Sequence, residues 1–169
     1  MSRTIDADVK AGLEAPESVD ALLAFLTITH PALPEPIRVV SDVMDYVLGG
    51  RTFLGLPFEF GILSDTEGPP MTELRMQNVD QKIGQALLGL NDRARVTLEI
   101  RSTADFDLSE DPRTEIPGGS ALYAFTDFDL IDVTVTVSEI SGRVMLRDYS
   151  QEPWPGQRCT QTRMPGLFR

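Results

Sequence analysis

A chain of 169 residues with 41% hydrophobic content is long enough for one domain with a sizeable core. Its formal net charge of -11 argues against nucleic-acid binding, which needs a basic patch. One cysteine excludes an intrachain disulfide, one histidine beside it argues against a four-ligand zinc site, and no stretch reaches the length of a membrane span. Met1 to Lys10 carries both charge signs and no apolar run, so no secretory leader is expected. Residues 1–20 are polar and read as an arm or edge element. Leu22, Ala24, Leu26 and Ile28 then alternate, a strand pattern. Pro31, Pro34 and Pro36 read as an extended linker, dividing an arm over 1–34 from a domain over 35–169.

Short strands are predicted at Ile37 to Val40, Asp45 to Leu48, Thr52 to Leu54 and around Phe58, Phe60 and Ile62. Gly49-Gly50 is the turn between the second and third of these. Asp65 to Pro70 is a polar loop, and Thr72 to Gln77 alternates as a strand, with Leu74 and Met76 on one face. Val79, Ile83, Ala86, Leu87 and Leu90 follow helical spacing, with Asn78 as the N-cap and Gln81 completing a capping-box-like pair. This helix is expected to bury Val79, Ile83, Leu87 and Leu90. A strand resumes over Ala94 to Arg101, with Val96, Leu98 and Ile100 inward. Residues 102–120 read as a long acidic loop. Leu122 to Ser138 reads as one long strand or two, and Ser141-Gly142 as the hairpin turn that follows. The sum is mainly β: an antiparallel β-sandwich or barrel with one flanking α-helix.

Little in the chain reads as chemistry. His30 lacks a nucleophile motif, so a structural or surface role is expected. Cys159 has no flanking motif. Asp105-Phe106-Asp107 and Asp127-Phe128-Asp129 each place two carboxylates on one strand face. Alternation over a Phe-lined core explains that without a cation site or a glycosidase pair. Gly49-Gly50-Arg51-Thr52 lacks the Lys-Ser/Thr ending of a phosphate loop. Trp154, between two prolines, reads equally as a sugar-stacking or interface residue and as a cap on the barrel. No catalytic residue, metal or cofactor is expected.

Pro165-Gly166-Leu167-Phe168 is the exception. Leu167 and Phe168 left in water would each cost about 1.5–3 kcal/mol, so they are expected to dock on their own core or on a partner. The strand-like segment containing Leu26 and Ile28, beyond a proline linker, is likewise expected to complete a sheet edge of another subunit. The interface candidates are therefore Leu26, Ile28, Trp154, Pro165, Gly166, Leu167 and Phe168.

The order of elements, the Leu74-Arg75-Met76-Gln77-Asn78-Val79-Asp80 junction into a helix and the Pro-Gly-Leu-Phe ending resemble a family of minor tail proteins of long-tailed bacteriophages. The resemblance covers roughly residues 35–168. It implies a tail-tube-like, distal-tail-like β-domain in a homo-oligomeric ring, most often six-fold, between the tail tube and the baseplate hub. It implies a virion structural protein assembled in the host cytoplasm, with no enzymatic activity and no membrane insertion. DNA passes such a ring without being bound, which the acidic charge suits. The alternative is a carbohydrate- or receptor-binding β-module using Trp154 and the aspartates.

Overall fold

The structure, a computed structural model, describes residues 7–15, 17–61, 71–79, 81–146, 160–163 and 166. The chain is mainly β. The helix α1 (Ala7–Glu14) precedes β1 (Leu22–Thr29), β2 (Ile37–Val40), β3 (Tyr46–Leu48), β4 (Arg51–Gly55), β5 (Phe58–Phe60) and β6 (Met71–Gln77). Then come α2 (Lys82–Leu88), β7 (Ala94–Ser102), a 3-10 turn at Thr103–Asp105, β8 (Phe106–Asp107), β9 (Arg113–Glu115), β10 (Tyr123–Val135) and β11 (Glu139–Leu146). Among the described residues the strands form one sheet in the order β5-β6-β11-β10-β7-β1-β2-β4-β3-β9-β8. Most pairings are antiparallel, but β2–β4 and β3–β9 are parallel, so the sheet is mixed. It does not close, because β5 and β8 end it without pairing to each other.

The sheet curls around two cores. From β5 to β2 it encloses the first, where Phe58 at one end and Val39 at the other share a cluster with Leu26, Val96, Phe128 and Ile140. From β1 to β8 it encloses the second, built on Phe25, Val40, Tyr46, Phe53 and Phe106. The strand β1 is the shared wall. Ala24, Leu26 and Ile28 face the first core, and Leu23 and Phe25 the second. A strand buried on both faces reads as a nearly continuous apolar run, and Leu-Leu-Ala-Phe-Leu-Thr-Ile-Thr is one.

This position corrects the expected arm. β1 is hydrogen-bonded on both sides, to β2 and to β7. Leu26 and Ile28 are 1% and 0% exposed, so neither is free to complete a neighbour's sheet. The proline-rich stretch is the connection between two antiparallel strands, with Ile28 opposite Ile37. Its prolines fit because a connection has no ladder bonds for them to break.

Three further expectations change. First, α2 begins later than predicted and Asn78 does not cap it. Asn78 is buried, and its Nδ2 donates to the Thr136 carbonyl at 2.7 Å. Its backbone N–H donates to the Ser138 carbonyl at 2.9 Å. With Asn78 engaged by the β10–β11 turn, the N-cap falls to Gln81 and Val79 is left 75% exposed. Leu87 is buried as expected, while Ile83 and Leu90 pack partly buried against the first core. Second, residues 102–120 are not one loop but carry the 3-10 turn and the short pair β8–β9. Third, Ser141-Gly142 lies inside β11, and the turn is at Thr136, whose Oγ1 accepts from the Glu139 N–H at 3.0 Å. A side chain at Gly142 would meet Leu130 Cδ1 at 2.9 Å, so packing rather than turning explains that glycine. Residues 123–135 form one strand, with a register shift between Ile131 and Thr134. The turn at Gly49-Gly50 holds: both have positive φ, and Leu48 pairs with Arg51 across a two-residue hairpin.

Candidate interaction surface

Polar groups around the second core tie its short strands together. Tyr46 on β3 is fully buried, and its hydroxyl donates to Asp42 Oδ2 at 2.7 Å. Arg113 on β9 donates to the same carboxylate oxygen at 3.0 Å and to the Tyr46 oxygen at 2.5 Å. Its guanidinium lies 5.4 Å from the Tyr46 ring centre. A second tie runs through Glu115, which accepts from Arg101 at 2.9 Å and from the Gly49 N–H at 3.0 Å. Both ties pin β9, which lies between β3 and the edge strand β8, to the hairpin β3–β4.

The buried phenol makes stability depend on pH. Burial, and then the hydrogen bond to Asp42, raise the Tyr46 pKa, with Arg113 opposing. A raised pKa means that its contribution is fully present below the unfolded value near 10 and is lost as pH rises through the folded value. Stability should therefore fall above about pH 10. In Tyr46→Phe the fall above about pH 10 should be shallower, read from urea midpoints. An equally steep fall would place the titration on other groups.

The structure disperses the remaining candidates. His30 shapes the β1–β2 connection, where its Nδ1 accepts from the Ala32 N–H at 3.0 Å. Asp105 and Asp107 do not share a strand face, because Asp105 belongs to the 3-10 turn and Asp107 to β8. Two hydrogen bonds from Ser109 lower the Asp107 pKa. Asp129 lies 3.8 Å from Arg93, and the Asp127 side chain is outside the described set. Phe106 and Phe128 are both core residues. Among the described residues, no group of three or more His, Cys, Asp or Glu is placed to hold a metal. Trp154, Cys159, Pro165, Leu167 and Phe168 lie outside the described residues, and Gly166 is exposed.

What the structure does assemble is an apolar groove of about 340 Å³ between the β3–β4 hairpin and α2. Val43, Leu54 and Val79 line it and are 77%, 52% and 75% exposed. The partly buried Leu56 and Ile83 continue its wall. Leu54 is apolar on the face opposite Phe53, where alternation calls for a polar residue, and that signal was readable in the sequence. Val43 carried no signal, and Val79 was assigned to the core. Among the described residues, two sheet edges, one on β5 and one on β8, add backbone groups with no strand partner.

No curated protein matches this chain significantly. The model of one family, described as a domain of unknown function (DUF1833), matches residues 8–159, which is most of the chain, and the protein belongs to that family.

Proposed function

We propose that this chain is a structural component of a bacteriophage tail tip, a subunit of a homo-oligomeric ring, most often six-fold, that joins the tail tube to the baseplate hub. The observation that carries this reading is the pairing of an open sheet with an exposed apolar groove. Large exposed apolar side chains gathered at one place mark a surface meant to be covered. Among the described residues the edges at β5 and β8 are unpaired, and such edges are natural points for another chain to add. The titratable groups around the second core are used to hold strands together, which suits a scaffold. A net charge of -11 suits a channel that DNA crosses without sticking. The resemblance of the helix junction and the Pro-Gly-Leu-Phe ending supplies the identification with tail tips. On this reading the protein resides in the virion tail and is assembled in the host cytoplasm.

Native mass spectrometry of the purified chain over a concentration series tests the ring. The expected result is a defined multiple of the 18.7 kDa subunit, growing in with concentration. A single 18.7 kDa species at every concentration would count against it.

A further inference from the structure

The groove beside α2 exposes Val43, Leu54 and Val79, and the sequence carries an apolar pair, Leu167-Phe168, in its closing segment. We propose that Leu167 and Phe168 of one copy seat in the Val43–Leu54–Val79 groove of a second copy. This deepens the ring reading and rests on it for the presence of that second copy.

Three observations point to this occupant. The first is position. Thr160–Arg163 forms an exposed turn, with the Arg163 N–H donating to the Thr160 carbonyl at 3.0 Å. Gly166 is exposed, and a side chain there would meet nothing within 4 Å. Each described residue of the closing segment, Thr160–Arg163 and Gly166, is exposed. The second is charge. Residues 153–169 hold Arg158, Arg163 and Arg169 and no Asp or Glu, within a chain whose net charge is -11. Arg163 and Arg169 flank the apolar pair, and Asp45 lines the groove. A basic, apolar segment is attracted overall by a chain whose net charge is -11. The third is reach. The strand β11 ends at Leu146, and the residues from there to Leu167 span up to about 70 Å when extended. That is ample for crossing to an adjacent subunit.

Complementation between two full-length variants tests the docking. One carries Leu54→Asp and Val79→Asp in the groove. The other carries Leu167→Ser and Phe168→Ser in the tail. Leu54 and Val79 are exposed, so the groove variant should keep the wild-type melting temperature, which is checked first. In sedimentation velocity each variant alone should stay monomeric, and a one-to-one mixture should pair, one intact tail in one intact groove. A labelled peptide spanning Thr160–Arg169 should bind the tail variant, and introducing the two groove substitutions into it should weaken binding at least about tenfold. A mixture that stays unpaired overturns the proposal, as does peptide binding that ignores the groove substitutions. If both variants still form the wild-type assembly, the docking fails and the ring stands. If the mixture pairs but the wild-type chain closes no ring, the docking stands and the ring fails.

Discussion

Phe25→Ala is expected to destabilise the fold by about 3–5 kcal/mol. Phe25 is 1% exposed and sits at the centre of the second core. Its ring meets Tyr46 and Phe53 edge-on, at centroid distances of 5.8 and 5.2 Å. It stacks against Phe106 at 5.3 Å with the planes 22° apart. Truncation removes the buried ring surface and all three aromatic contacts, each worth about 0.5–1.5 kcal/mol beyond burial. Neighbours cannot collapse into the space, because Tyr46 is held by Asp42 and Arg113 and Phe106 by the β8–β9 pair. Since a domain of this size is stable by only about 5–15 kcal/mol, the loss should be plain in urea unfolding. A loss under about 1 kcal/mol would show that this core does not depend on Phe25.

Gly55→Ala is expected to cost about 1–3 kcal/mol or more, although it adds one methyl group. A Cβ at Gly55 would lie 2.5 Å from both the carbonyl carbon and oxygen of Val43 and 2.7 Å from the Met44 carbonyl carbon. These are backbone atoms and cannot rotate away. The Gly55 N–H also donates to Asp45 Oδ1 at 2.7 Å, and Gly55 pairs with Val40 in the parallel ladder. Any shift of β4 therefore disturbs the junction between the two halves of the sheet. It also moves Leu54 relative to Val43, so the groove should change shape with it. An unchanged melting temperature would contradict the close approach.

These effects were unequally legible in the sequence. β6 and β7 were readable because one face of each is buried: Leu74 and Met76, or Val96 and Leu98, alternate with charged or polar neighbours. β1 was readable as a strand but not as the centre of the sheet. Alternation drew attention to Leu26 and Ile28, while Phe25 on the other face was the sign of a second core. The start of α2 was misread because Asn78 is a good local cap but is engaged by Thr136, 58 residues away. Local chemistry carries no record of such a partner. β8 and β9 were too short and polar to show a period, and their existence depends on β3. The groove was half visible, since Leu54 stood on the wrong face while Val43 and Val79 acquire meaning only when the fold brings them together.

The ring is tested most directly by an electron cryomicroscopy map of tails purified from particles whose genome encodes this chain. The expected map shows a ring of identical copies of the β-domain between the tube and the hub, with each Val43–Leu54–Val79 groove covered at a subunit boundary. A map in which the chain is absent from that junction, or stands as a lone peripheral domain with its groove open, would contradict it.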